Sequence, residues 1–390
     1  MPSLVDRPRA SRILHESDLD LLIASRRENV AYLTGVFSHL YWEYPEVAHC
    51  LEREDDGCDA PYYFAALPRA SDSPPFVVAH TGRASLWQRE SWMTDVKPCC
   101  WKEHGQTPVD RLVEGIEDRG LSNGRLGVEM RHLPAGILSD LQQRLPQATF
   151  TDATDLLWRL RMVKTAEELA RQRHAYQIGE TVYSGVFDAL RDNPRRPVQE
   201  LRGLEMAIAT EAGCPPLHFG YLFPQDNAAK RAWAPDAGGY TTAPGDTILL
   251  DLGLIWHGYT TDFGRVASIG KASQTVRDAF ERVRDLRRTI EAAIRPGVRA
   301  CDVWNAAAQF QQHRGEPVNE GVGHSLGIEC HEPPRLAPDD ETVLETGMTI
   351  VIELVASVEH IAFLLEDAGL ITEQGWESLT TFGTDLIEIL

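Results

Sequence analysis

Five side chains in the C-terminal half could do chemistry together. Asp251 ends the apolar run Thr247-Ile-Leu-Leu, and Asp262 follows after Trp256-His257-Gly258-Tyr-Thr-Thr. An ionised carboxylate in apolar surroundings must be paired or bound to a cation, because burying it alone is costly. The His257-Gly258 pair predicts a tight turn between two strands, which brings both aspartates to one place. Glu353 interrupts the apolar strand expected over Met348 to Val355, and Glu366 interrupts the one over Ile361 to Leu370. His324 lies between glycines in Gly321-Val-Gly-His-Ser-Leu-Gly327, where the backbone can pass close to a charged or bulky group. Each residue alone has an ordinary reading: a turn former, an ion-pair partner or a loop histidine. Four carboxylates brought together would repel one another and shift their pKa values, whereas two divalent cations would neutralise them. Metal binding accounts for all five at once. One histidine with four carboxylates suits hard or borderline ions, Mn²⁺ first, with Co²⁺, Zn²⁺ or Fe²⁺ as alternatives.

The elements that must position these residues read as two domains, as 390 residues suggest. In the first, 1–160, Asp18 to Ala24 and Val30 to Val36 are apolar runs that predict buried strands. Gln106 to Glu117 has helical spacing at Val109, Leu112, Val113 and Ile116, and Gly124 to Met130 returns to strand character. Leu51 to Ser73, rich in Asp, Pro and Gly, predicts a long surface loop. Alternating strands and helices make this an α/β domain. The second domain, 161–390, opens at Thr165-Ala-Glu-Glu168, a capping box that starts a helix reaching about Leu190. Helices are expected over about 198–212, 275–294 (stopping at Pro296-Gly297) and 302–314. Strands are expected over 247–254, 258–269, 348–356 and 361–372. Helices on one face of a mainly antiparallel sheet make this domain α+β.

The net charge of -20 argues against a nucleic-acid or anionic-membrane surface, either of which needs a basic footprint. No apolar signal region follows Met1 to Ala10 and no window reaches transmembrane length, so a cytoplasmic protein is expected. Seven scattered cysteines without a CxxC pair fit reduced thiols.

The strings DLGLIWHGYTTDFGR (251–265), GVGHSLGIECHEPPR (321–335), TGMTIVIEL (346–354) and LLEDAGLIT (364–372) resemble, in order and spacing, the metal-binding blocks of the pita-bread metallopeptidases. The segments DLDLLIASRRENVAYLTGV (18–36) and LRMVKTAEELARQRHA (160–175) resemble the creatinase/prolidase/aminopeptidase P branch, so the resemblance spans nearly the whole chain. It implies a creatinase-type N-terminal domain before a pita-bread catalytic domain, and an Xaa-Pro dipeptidase or aminopeptidase P-like hydrolase of a C–N bond. It further implies two divalent metal ions per subunit and a homodimer. In that family Asp251 would chelate one ion, His324 and Glu353 would sit mainly on the other, and Asp262 and Glu366 would bridge. A hydroxide between the ions would be the nucleophile. Glu353 would also accept its proton, His331 would hydrogen-bond the developing oxyanion, and Arg335 would pair with a substrate carboxylate.

Two departures from the family pattern bear on the substrate. Ala232 stands in Asn227-Ala-Ala-Lys-Arg-Ala-Trp-Ala-Pro235 where the family's peptidases carry a substrate-side histidine, and Leu364 stands where prolidases often carry arginine. His218 could supply a substitute imidazole, and the aromatic segment His39 to His49 is a candidate substrate wall. These changes spare the ligands and leave a second reading open: a small-molecule specialist, creatinase-like, ectoine-hydrolysing, or a lyase on dimethylsulfoniopropionate. A non-catalytic binding module is the third reading, against which the complete ligand set weighs.

Overall fold

The computed structural model describes residues 3–37, 63–81, 84–99, 105–214, 219–224, 239–358 and 361–390. They fall into two compact units, Met1–Arg161 and Met162–Leu390.

The first unit runs α1 (Arg7–Glu16), β1 (Leu21–Ala24), α2 (Arg27–Thr34), β2 (Phe64–Pro68), β3 (Phe76–His80), α3 (Ala84–Glu90), β4 (Asp95–Cys99), α4 (Pro108–Glu117), β5 (Arg125–Val128), α5 (Ala135–Arg144), β6 (Thr149–Asp152) and α6 (Thr154–Met162). Its six strands form one sheet in the order β4-β3-β2-β1-β5-β6, with β1 parallel to β5 and antiparallel to β2. Helix α4 starts where expected because Thr107 and Asp110 close a capping box and Pro108 fills the first turn.

Two expectations fail here. Residues 30–36 are not a strand: α2 covers Arg27–Thr34 and ends on Gly35 at φ 78°. Every residue from Glu28 to Thr34 is buried, so the run carries no periodicity to distinguish helix from strand, and the left-handed Gly35 cap is the only local signal. The loop expected over 51–73 is also wrong in part. Phe64–Pro68 is the fully buried strand β2, paired with β1 and β3, while 51–62 lie outside the described residues.

The second unit runs α7 (Ala166–Asp192), α8 (Val198–Glu211), β7 (Phe219–Pro224), β8 (Thr247–Gly253), β9 (Ile255–Trp256), β10 (Tyr259–Thr260), β11 (Phe263–Ile269), α9 (Gln274–Ala293), α10 (Ala300–His313), β12 (Gly323–Ser325), β13 (Glu332–Arg335), β14 (Thr349–Val358), β15 (Ile361–Thr372), β16 (Gly375–Ser378) and β17 (Ile387–Ile389). The main sheet follows β13-β12-β14-β15-β11-β8-β7, with β16 beside β15 and β17 beside β11. Neighbours on that path are antiparallel. The capping box at Thr165 and Glu168 is formed, and α7 opens on it.

Side chains alternate across a strand, and here the alternation separates core from chemistry. Ile248, Leu250 and Leu252 of β8 pack with Tyr183, Val186 and Leu201 of α7 and α8. Ile350, Ile352 and Leu354 of β14 pack with Val283, Leu286 and Val303 of α9 and α10. Asp251 and Glu353 occupy the intervening positions, on the opposite side of their strands from these residues. The strand expected over 258–269 is broken in two. His257 (φ 46°) and Gly258 (φ 84°) make the tight turn between β9 and β10, and Asp262 falls in the gap before β11. The gap frees the Asp262 backbone from the ladder. The Tyr176 hydroxyl satisfies it, accepting from Asp262 N at 3.0 Å and donating to its carbonyl at 3.1 Å.

Candidate metal centre

The register aligns the site. Asp251 on β8 is opposite Gly264 on β11, Gly264 is opposite Glu366 on β15, and Glu366 is opposite Glu353 on β14. Like charges directly opposite destabilise a sheet, so this row requires a compensating positive charge. Gly264 keeps the row open: a Cβ there would lie 2.9 Å from Glu366 Oε2 and 2.4 Å from Leu364 Cδ2.

Asp262 and His324 complete the cluster. His324 Nε2 is 3.3 Å from Asp262 Oδ2 and 3.7 Å from Glu353 Oε2. The Ser325 carbonyl lies 2.9 Å from His324 Nδ1, which places the ring proton there and leaves the Nε2 lone pair toward the carboxylates. Three overlapping sets have ligand atoms close enough to share one ion: Asp251, Asp262 and Glu366; His324, Glu353 and Glu366; and Asp262, His324 and His331. Asp251 Oδ1, His324 Nε2 and Glu366 Oε2 are buried without a hydrogen-bond partner. Buried polar atoms are ordinarily satisfied, and orphaned acceptors converging on one point fit a cation.

The electrostatics agree. Burial, then Asp262 and Glu353, push the Asp251 carboxyl up to about 8. Burial and the neighbouring carboxylates push Glu366 well above the usual carboxylate range, and Glu353 is raised as well, chiefly by burial. Burial opposes a charged His324, but Asp262 prevails and raises it. A cluster that must otherwise take up protons to relieve its own charge is one that cations stabilise.

His331 lies beside the cluster with its side chain 71% exposed, its ring edge-on to His324 at 4.2 Å and its Nε2 3.9 Å from Asp262 Oδ2. Gly321, Gly323, His324, His331, Arg335 and Glu353 line a cavity of about 530 Å³. The structure therefore gathers Asp251, Asp262, His324, Glu353 and Glu366, and sets His331 and Arg335 at the cavity. His218, Ala232 and the segment 39–49 lie outside the described residues. Leu364 is buried two positions before Glu366, against Gly264.

Residues 166–379 match metallopeptidase family M24, and residues 7–163 match the creatinase/prolidase N-terminal domain. The chain belongs to metallopeptidase family M24. Among curated M24 relatives, an Xaa-Pro dipeptidase of Lactobacillus delbrueckii subsp. lactis is 26% identical, over 81% of this chain and 85% of the relative. A dipeptidase structure from Pyrococcus horikoshii superposes with a TM-score of 0.77 at 25% identity, covering 98% of this chain and 99% of that one. An X-Pro aminopeptidase structure from Thermotoga maritima gives 0.77 at 17% identity, covering 98% and 99%, and speaks to fold alone. The expected pita-bread architecture behind a creatinase-type N-terminal domain is what the M24 match and these neighbours show. This M24 chain is a metal-dependent hydrolase similar to Xaa-Pro dipeptidases.

Sequence reasoning missed two residues of the site. Tyr176 holds the Asp262 backbone from α7, and the Cys330 thiol donates to Asp262 Oδ2 at 3.1 Å. Neither carries a local signal, since each gains its role only by approaching a residue far away in sequence.

Proposed function

We propose that the chain hydrolyses the peptide bond of Xaa-Pro dipeptides with two divalent ions, Mn²⁺ foremost, held by Asp251, Asp262, His324, Glu353 and Glu366. The carrying observation is the in-register row Glu353, Glu366, Gly264, Asp251, with orphaned acceptors at its centre. Divalent ions held by these residues would supply charge neutralisation, polarisation of the scissile carbonyl and activation of the attacking water.

The chain's own residues do the rest. Glu353, at the cavity wall beside His324, is placed to take the proton of the attacking water and pass it to the leaving nitrogen. His331, at the cavity wall, donates to the oxygen on which charge develops. Arg335 offers a planar fork to the free carboxylate of a dipeptide, which limits the substrate to chains ending close to the scissile bond. The Ser325 carbonyl holds the His324 tautomer.

Two positions favour a second reading, a small-molecule specialist that hydrolyses or lyases a non-peptide substrate on the same centre. Leu364, where prolidases often carry arginine, puts an apolar side chain two positions before Glu366, and Ala232 departs from the peptidase pattern in the same sense. Purified protein loaded with Mn²⁺ or Co²⁺ is assayed on Xaa-Pro dipeptides, longer Xaa-Pro peptides, dipeptides lacking proline, creatine and ectoine. Turnover confined to Xaa-Pro dipeptides is expected. Turnover only of creatine or ectoine moves the assignment to the second reading, and no turnover of any with metal bound leaves neither supported.

A further inference from the structure

The Cys330 thiol touches the candidate centre at one atom. Its Sγ lies 3.1 Å from Asp262 Oδ2, the same oxygen that lies 3.3 Å from His324 Nε2. Cys330 is buried and disulfide-free, within the segment Gly327-Ile-Glu-Cys-His331 that joins β12 to β13. A thiol is a weak donor, and packing alone would ask only for a small apolar side chain at this place. Instead the S–H points at a carboxylate whose backbone is already fixed by the Tyr176 hydroxyl. Beside it, His324 Nε2, Asp251 Oδ1 and Glu366 Oε2 are buried and unpartnered. A carboxylate that serves a metal is usually aimed by a hydrogen bond from behind, and losing that bond lowers metal affinity about 10- to 100-fold.

We propose that Cys330 is a positioning residue for the metal centre: its S–H holds Asp262 Oδ2 toward His324 and so sets the affinity of the ion bound on the His324 side. The idea rests on the two-metal reading given above. It concerns a donor, not a sulfur ligand: the thiol engages the carboxylate and leaves the two ions an all-oxygen-and-nitrogen donor set. Hard ions are thereby retained at a centre that contains a buried cysteine.

The test is calorimetric binding of Mn²⁺ and Co²⁺ to the full-length metal-free protein, comparing wild type with Cys330→Val, Cys330→Ala and Cys330→Ser. Valine fills the volume without a donor, alanine leaves a void, and serine keeps a donor. The expected result is two ions on wild type, with one of them bound about tenfold more weakly in Cys330→Val and Cys330→Ala. Cys330→Ser should restore most of that loss at an unchanged melting temperature. Equal affinities in wild type and Cys330→Val, or in Cys330→Ala should Cys330→Val fail to fold, overturn the proposal and leave the thiol a packing group. A sulfur-to-cobalt charge-transfer band in Co²⁺-loaded wild type, absent from Cys330→Ser, also overturns it by making sulfur a ligand. A wild type that binds no ion contradicts the two-metal reading itself, which keeps the two failures distinguishable.

Discussion

Residues buried with unmatched charge govern how this protein answers to pH. Asp251, ordinarily near 3.8, is raised to about 8 by burial and by Asp262 and Glu353. The folded metal-free chain therefore holds a proton that the unfolded chain releases above about 3.8, and its stability falls as pH rises toward 8. Bound cations take the place of those protons and reverse the trend. Thermal melts of chelated and Mn²⁺-loaded protein should diverge progressively between pH 5.5 and pH 8, the loaded form gaining. A constant difference across that range would contradict the electrostatic account of the cluster. Glu205 of α8 offers a control away from the site. It is buried with Oε2 unpaired, and burial raises it from 4.5 to about 7. It destabilises the fold increasingly as pH rises from about 4.5 through 7. Glu205→Gln should therefore stabilise the protein by about 3 kcal/mol at pH 8, with the gain nearly gone by pH 4.5, as read by urea titration at both values.

At the scale of elements, the row of carboxylates depends on how β11 and β15 are tied together. Arg265 of β11 donates from Nη1 to the Glu366 carbonyl at 2.8 Å and from Nη2 to Asp367 at 2.7 Å. Arg287 of α9 also pairs with Asp367, and the Thr380 hydroxyl donates to it at 2.8 Å. All three charged groups are buried, so removing Asp367 leaves Arg287 with Glu291 alone and Arg265 with backbone carbonyls in place of an anion. Asp367→Ala should cost about 3–5 kcal/mol in denaturant unfolding, against about 1 kcal/mol for Thr165→Ala at the capping box of α7. Similar losses for the two variants would mean the ion cluster adds nothing beyond an ordinary cap. The capping box at Thr165 was legible in sequence because a cap is a matter of residues three apart. The helix α2 and the strand β2 were not, because a wholly buried run looks alike in either conformation and its neighbours decide.

For the whole molecule, every candidate ligand lies in the unit Met162–Leu390, which has hydrophobic cores of its own. A fragment 162–390 should unfold cooperatively and gain about 2.7 kcal/mol from Mn²⁺ at a hundred times its dissociation constant, whereas 1–161 should gain nothing. Calorimetry of the two fragments checks this, and a metal-dependent shift in 1–161 would place ligands outside the centre described here. Among the described residues no helix is long and apolar enough to cross a membrane.

The sequence by itself determined the residue types. Carboxylates set in apolar strands, one histidine between glycines and a turn at His257-Gly258 were enough to suggest a cation site and to mark the strands that carry Asp251, Glu353 and Glu366. Tertiary structure alone decided the strand register that places Asp251, Glu366 and Glu353 across Gly264, and the approach of Tyr176 and Cys330 to Asp262. Spacing along a chain specifies which face of a strand a side chain occupies. Which strand lies beside it is fixed only when the β12 to β15 segment closes against β8 and β11, and that choice is made by burial of the shared core.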